Sequence, residues 1–532
     1  MKIQILTSTI IKRTFAVTLA VGAFSACTDH FDELNVPENQ IIVDNIDASL
    51  LGQAFAQSQF YGLNGDNQAF QRSQSLFSDE YAQYFATTEA NFDSGNFLEV
   101  MSWTSRYYDD VYSRAAPQLL FVEQTTAAND MAVENAIAKV WKVVMYHRIS
   151  DFFGPTIYSQ FGNGQTSVSY DSQEYVYKDF FKVLDEAVAV LSANTSANGF
   201  GSNDLVYAGD ASKWLTFANS LRLRLAMRLA YVDPELAKSE AEKAVAAGVM
   251  TNNDQNANVL TTVNSLNFYA AITYIDEFRM SATMQSVLEG YQDPRIREYF
   301  DEAVEGGGYK GIRNGMPRLE KGPFLEPTHS FINTRWRPLA RGGTNPPLQV
   351  MVAAENYFLR AEGALRGWNM GGSAQELYNQ GIAISMEQWE AASPNEVAAY
   401  QNSLNTPVAV NDKWNTPAMS DIPVAYQAGA DFETQLEQII TQKWIALFPD
   451  SWEAWTERRR TGYPVGFAII ESFNPDIPVT GLMRRLKFTT AEQTNNAAAV
   501  EDARNLLSGP DANHTRLWWD AKPLDLYPTP KQ

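Results

Sequence analysis

The feature that most restricts this chain is a helical period that returns in pairs. In MAVENAIAKVWKVVMYHRISDFFGP, apolar residues recur at Val133, Ile137, Val140, Trp141, Val144 and Ile149, mostly three or four apart, and Gly154 with Pro155 closes the run. The next stretch, DSQEYVYKDFFKVLDEAVAVL, opens with Asp171 and Glu174 at capping-box spacing and then stripes Val176, Phe180, Val183, Leu184, Ala187 and Leu191 along one face. Two amphipathic helices joined by a short connection are expected to pack against each other.

The pattern repeats three more times. ASKWLTFANSLRLRLAMRLAYVD is followed by PELAKSEAEKAVAAG, PLQVMVAAENYFLRAEGALRGW by SAQELYNQGIAISMEQW, and ETQLEQIITQKWIALFP by DSWEAWTERRR. The pairs fall near 132–192, 212–248, 348–390 and 433–460. Their separations are unequal, yet the third pair carries tetratricopeptide-like spacing of small and aromatic residues at Ala361, Gly367, Trp368, Ala374 and Tyr378. The expected class is all-α: four tetratricopeptide-like helix pairs carrying long irregular insertions. The insertions, chiefly 60–100, 251–345 and 392–430, are rich in Asn, Thr, Gly and Pro with scattered aromatics such as Phe60, Tyr61, Phe92, Phe97, Tyr274, Phe278, Tyr309 and Trp336. Segments this long are functional or disordered. Their rings argue for ordered surfaces that contact a ligand.

The start of the chain has its own grammar. Lys2, Lys12 and Arg13 precede a ten-residue apolar run, FAVTLAVGAF, from Phe15 to Phe24. A membrane-spanning helix needs ~20 apolar residues. Ser25 and Ala26 then lead to Cys27, the only cysteine. This resembles the bacterial lipobox, in which the chain is cut ahead of the cysteine and the thiol is lipidated. Residues 1–26 are then a lipoprotein signal peptide, 27–44 an acidic tether beginning at the lipidated cysteine, and 45–532 a single domain. An ordinary signal peptide next to an incidental cysteine is the alternative. Asp29, Asp32 and Glu33 are either a solvated tether or an acidic export signal.

Charge and chemistry remove several function classes. The formal charge is −21, and it becomes three units more negative without residues 1–26. Such a surface repels nucleic-acid phosphates and anionic headgroups, so no nucleic-acid partner is expected. Arg222, Arg224 and Arg228, and Arg458 to Arg460, are accordingly expected to pair with carboxylates or cap helix ends. No G-x-S-x-G elbow is present, and the single thiol lies at the anchor. His30, His147, His329 and His514 lack metal-ligand spacing, and His147 reads as a satisfied, partly buried residue of its helix. The glycine clusters read as turns, so neither metal nor cofactor is expected. Glycosidase chemistry needs only two carboxylates about 5–10 Å apart, and with 62 acids a pair stays open. Asp109 with Asp110, and Asp276 with Glu277, read as solvated faces. Trp103, Tyr107, Tyr108 and Tyr112 read as core.

Seven segments, in order, resemble signatures of the SusD/RagB family of outer-membrane nutrient-binding lipoproteins, in the branch called SusD-like type two. They are RISDFFGPTIYSQ (Arg148 to Gln160), KWLTFANSLRLRLAMRLA (Lys213 to Ala230), DPRIREYF (Asp293 to Phe300), AENYFLRAEGALRGW (Ala354 to Trp368), GGSAQELYNQGI (Gly371 to Ile382), QKWIALFPDSWEAWTERRRTGYP (Gln442 to Pro464) and GLMRRLKF (Gly481 to Phe488). The resemblance implies four tetratricopeptide-like units with an irregular ligand-binding part. It also implies a lipid-anchored protein on the cell-surface side of the outer membrane, without enzymatic activity, that captures oligosaccharides, or peptides in some branches, and passes them to a SusC-like TonB-dependent porin. A secreted helical glycoside hydrolase is the remaining alternative. The matching segments belong to the scaffold, so the ligand residues follow from ring chemistry instead: sugars stack C–H faces on aromatic rings beside polar groups. Trp336, between Arg335 and Arg337, Tyr309 beside Lys310, Tyr274 and Phe92 are the expected ligand-binding residues.

Overall fold

The computed structural model describes residues 48–532 apart from 64–66, 262–266, 268, 270–276, 325–326, 338 and 340–341. By compactness the chain divides into Met1–Leu51 and Gly52–Gln532. Of the first unit only the opening residues of the helix Ala48–Gly62 are described, so the following account concerns the second. Cys27 and the segment 27–44 lie outside the described residues.

Four helix pairs form the scaffold. They are α1 (Ala132–Phe153) with α2 (Gln173–Ala193), α3 (Ala211–Arg228) with α4 (Pro234–Ala247), α5 (Ala353–Leu365) with α6 (Ala374–Gln388), and α7 (Phe432–Leu447) with α8 (Ser451–Thr461). Helices pack within each pair, and α3 also packs on α1, α2 and α5 while α7 packs on α5 and α6. The fold is all-α, as the periodicity requires.

Local chemistry sets the helix ends. The α2 stripe is buried at Val176, Phe180, Leu184, Ala187 and Leu191. Its N-cap is Ser172, whose side chain accepts from the Tyr175 N–H at 3.2 Å. The capping box read at Asp171 is therefore corrected by one residue. Asp171 instead turns back to the chain before it, exchanging backbone hydrogen bonds with Thr156 and accepting from Ser159 N at 2.7 Å. Ser373 and Glu376 do form a capping box at the start of α6. Within this pair Gly381 admits the Phe358 ring, which a Cβ would meet at 2.7 Å. α1 is amphipathic only at first: every residue from Val143 to Phe153 is buried, because α2, α3 and the helix Ala116–Ala128 cover it on separate sides.

Charge is built into this interior. Arg222, Arg224 and Arg228 of α3 are all buried. Arg222 pairs with Asp185 of α2 and Glu240 of α4. Arg224 makes a two-pronged contact with Glu355 of α5, its Nε donating at 2.7 Å. Arg228 reaches Glu457 and Glu453 of α8 at 2.8 and 2.7 Å. In α8, Arg460 donates to Glu362 of α5, while Arg458 and Arg459 satisfy the backbone carbonyls of Tyr81 and Asp151. The arginines thus pair internally, as the acidic composition implied.

Two readings change. Asp110, read with Asp109 as solvated, is 2 % exposed and held by Arg106 at 3.0 Å and Arg114 at 3.5 Å. His147 is fully enclosed, with Nδ1 2.9 Å from the Val143 carbonyl. Burial pushes its pKa well below the usual range.

Short strands tie the insertions down. β1 (Phe85–Thr87) pairs antiparallel with β3 (Phe278–Met280), Phe85 opposite Met280 and Thr87 opposite Phe278. β2 (Ala257–Val259) pairs antiparallel with β4 (Leu348–Met351), which runs directly into α5. Among the described residues no helix is long and apolar enough to cross a membrane.

Candidate functional site

Where the chain leaves the β1–β3 ladder, the insertions assemble an open aromatic face. Thr88 N–H donates to the Glu277 carbonyl at 2.9 Å, so the two strands remain paired one step beyond the ladder. Phe92 then stacks on Phe278 with ring centroids 6.2 Å apart and meets Trp103 edge-on at 5.6 Å. Phe92 and Trp103 are half-buried, each presenting part of its ring. Lys321 staples this turn from beneath, its buried Nζ donating to the Phe92 carbonyl at 2.6 Å and the Glu89 carbonyl at 3.3 Å. Burial pushes the Lys321 ammonium pKa down.

The neighbouring turn is built around Glu80. Its carboxylate accepts from Asn314 Nδ2 at 2.9 Å, and burial raises its pKa to about 7. Gly95 closes over it: a Cβ there would lie 2.5 Å from Glu80 Oε2. Asp93, on the same turn, receives Arg318 Nε at 2.8 Å. The Arg318 guanidinium lies over the Phe473 ring, 5.4 Å from its centroid. An open cleft of about 480 Å³ runs past these groups, lined by Leu98, Pro317, Arg318, Leu319, Glu471 and Phe473. Leu319 is 98 % exposed beside it.

A second pair of half-buried rings packs against Ala86, Ile312 and Met316. Trp414 stacks on Phe324, centroids 5.9 Å apart and planes 17° apart, and His329 meets Phe324 edge-on at 4.9 Å. Asp412 shapes the turn that presents Trp414, accepting from Trp414 N at 3.0 Å and Thr416 Oγ1 at 2.7 Å. Lys413 sits over the Trp414 ring at 4.6 Å and pairs with Glu320, a cleft residue. Burial, with the charges of Lys310 and Arg279, lowers the His329 pKa to about 4 and keeps the ring neutral at physiological pH. Glu277, bonded by Gln71, has its pKa raised to about 7, first by burial and then by the Glu89 carboxylate.

Of the expected ligand residues, Phe92 lies on this face. Tyr274 is outside the described residues. Tyr309 is half-buried after the Gly306–Gly308 turn; burial and the charges of Glu302 and Asp301 raise its hydroxyl pKa. Trp336 is 1 % exposed, packed edge-on against Tyr269 at 5.7 Å, and stands in the wall of a separate cleft. Trp103, read as core, lies half-exposed on the face, whereas Tyr107 and Tyr108 are core. Trp414, Phe324 and Phe473 were not singled out. Trp414, in NDKWNTP, satisfies the same test of a ring among polar neighbours that singled out Trp336.

Half-exposed rings beside charges already committed to one another suit a ligand with apolar C–H faces and many hydroxyls. Among the described residues no group of three or more His, Cys, Asp or Glu could hold a metal ion.

Residues 32–520 match the family model SusD-like, described as SusD and RagB outer-membrane lipoprotein. Solved structures agree. A chitin-binding SusD homologue from Flavobacterium johnsoniae is 37 % identical, with a TM-score of 0.83 over 89 % of this chain and 99 % of its own. A SusD homologue from Bacteroides uniformis is 33 % identical, with a TM-score of 0.82 over 90 % of this chain and all of its own. A further structure, described as a chitin-binding protein, is 27 % identical, with a TM-score of 0.75 over 89 % of this chain and all of its own. No curated protein matches. The helix pairs, the family model and the shared architecture agree: the chain belongs to the SusD/RagB family of outer-membrane lipoproteins.

Proposed function

We propose that the protein is a cell-surface lipoprotein that binds an oligosaccharide on the Phe92–Trp414 face and delivers it to a SusC-like TonB-dependent transporter, without acting on it chemically. The observation that carries this reading is two pairs of half-buried rings on the insertions, Phe92 with Trp103 and Phe324 with Trp414, together with an open cleft of about 480 Å³ lined by Phe473 and Arg318. Relatives described as chitin-binding support a glycan as the ligand class. Residues 1–26 serve as the signal peptide, Cys27 carries the lipid, and 27–44 tether the domain to the membrane. Several acyl chains give stable anchoring where one is marginal.

Calorimetry and a glycan array on the protein lacking its first 27 residues test the binding. Saturable binding of an oligosaccharide, weakened by Trp414→Ala, is expected; binding only to peptides would move the protein to a peptide-capturing role. New reducing ends on prolonged incubation, abolished by Glu277→Gln, would establish a glycoside hydrolase instead. Cys27→Ala should release the folded protein from the outer membrane, and its retention there would contradict the anchor. Co-purification of the native protein with a TonB-dependent porin tests the delivery step.

A further inference from the structure

A cavity of about 190 Å³ opens between the helix Ala116–Ala128, α1, α2 and the 158–161 turn. It shares no lining residue with the ring pairs or the open cleft. Tyr146 of α1 forms one wall, 3 % exposed, and its ring meets Tyr158 edge-on at 5.1 Å. The Tyr146 hydroxyl has no hydrogen-bond partner among the described residues, yet it is not sealed, and its oxygen keeps surface open to the cavity. Folded proteins pair the large majority of their buried polar side-chain atoms, so a lone phenol facing open space marks a place where a partner comes from outside the fold. Burial and then the Glu123 charge push its pKa up, which puts the hydroxyl within the field of that carboxylate.

The charges around the cavity narrow what that partner is. Two carboxylates, Glu123 and Asp179, face one lysine, Lys142. Lys142 Nζ lies 3.3 Å from Glu123 and 5.3 Å from the centre of the Tyr158 ring. Burial raises the Glu123 pKa even with Lys142 beside it, so one ammonium leaves this carboxylate under-compensated. Asp179 accepts from the Tyr158 hydroxyl at 2.9 Å, and Lys182 stands 4.0 Å from it on a side chain 71 % exposed, where pairing is weak. The free lone pairs make the site rich in acceptors. An anion would meet two like charges. A bare ion would leave most of the space unfilled, since the volume equals about six waters. An ammonium gains from the carboxylates and from a tyrosine face, as Lys142 itself does, while half-buried Phe161 offers apolar surface to the body that carries it.

We infer that this cavity binds a small organic amine, whose ammonium donates to the Glu123 carboxylate and the Tyr146 oxygen and whose body lies along Phe161 with its further donors on Asp179. An amino sugar and a lysine side chain both present this group.

Saturation-transfer NMR on the full chain in detergent at pH 7 tests the site. Glucosamine and Nα-acetyl-lysine amide are the probes, and glucose and Nα,Nε-diacetyl-lysine amide are their uncharged counterparts. Saturable transfer to at least one amine is expected, with its counterpart bound at least about tenfold more weakly, and the tighter amine names the source. Tyr146→Phe should raise the midpoint about fivefold without lowering Tm, because the hydroxyl it deletes has no partner in the fold. Glu123→Gln should raise the midpoint further, and Trp414→Ala should leave it unmoved. No transfer to either amine, equal midpoints for an amine and its counterpart, or a wild-type midpoint in Tyr146→Phe would overturn the site. A midpoint moved by Trp414→Ala and not by Tyr146→Phe would place the amine on the open rings and equally overturn the cavity, leaving the oligosaccharide face standing.

Discussion

Glu362 offers the sharpest test of what holds the four pairs together. Its buried carboxylate accepts from Arg460 Nη1 at 2.8 Å and from Arg366 Nε and Nη2 at 3.0 and 2.8 Å. Burial alone would raise its pKa, but Arg460 and then Arg366 outweigh that and hold it at about 2, against an ordinary 4.5. A displacement of that size is worth about 3 kcal/mol at neutral pH. Breaking a buried ion pair costs about 3–5 kcal/mol. Glu457 still pairs with Arg460, which puts Glu362→Gln at the lower end. With an unfolding entropy of roughly 1 kcal/mol/K for a domain of this size, a loss of about 3 kcal/mol lowers Tm by about 3 °C. The sign of the pH dependence follows from a folded pKa below the unfolded one. The contribution is complete above about 4.5 and disappears as pH falls through about 2. Calorimetry at pH 7, 5 and 3 should therefore give equal gaps between wild type and variant at pH 7 and 5, and a smaller gap at pH 3. A gap below about 1 °C at pH 7, or one that widens in acid, would refute the reasoning.

Other changes probe other parts of the molecule. Trp414→Ala removes one ring of the open face and should weaken oligosaccharide binding about tenfold by calorimetry with Tm nearly unchanged; equal affinity would exclude the ring from the site. Glu277→Gln should raise Tm at pH 8 and leave it unchanged at pH 4.5, because a carboxyl whose folded pKa is raised to about 7 opposes folding once ionised. Identical unfolding profiles at both pH values would sink that assignment. Gly290→Ala would press a Cβ to 2.5 Å from the Thr406 carbonyl and 2.6 Å from Pro407 Cα and Val408 N. A loss of about 1–3 kcal/mol in urea unfolding is expected, and a neutral result would show that the 406–408 strap yields.

The scaffold was legible because its signals are local. An apolar stripe and a cap lie within one helix, so α2 and α6 could be read residue by residue, with Ser172 in place of Asp171 the correction. α1 was harder: periodicity registers a buried face, and a helix covered on several sides has no polar face to contrast with it. Asp110 was misread because its partners Arg106 and Arg114, four residues to either side, make burial affordable. The open face was largely illegible. Phe92, Phe324, Trp414 and Phe473 come from separate insertions, and nothing local distinguishes Trp414, half-open to solvent, from Trp336, sealed against Tyr269.

The β1–β3 ladder is only three residues long, but it joins points 191 positions apart, Thr87 opposite Phe278. The segment that follows β1 therefore starts from a root fixed by chain far away in sequence. The 88–104 segment is nonetheless no free graft on that root: buried Asn96 donates to the Gly315 and Glu471 carbonyls at 2.9 Å each, so a change of sequence there has to be matched in two other stretches of chain.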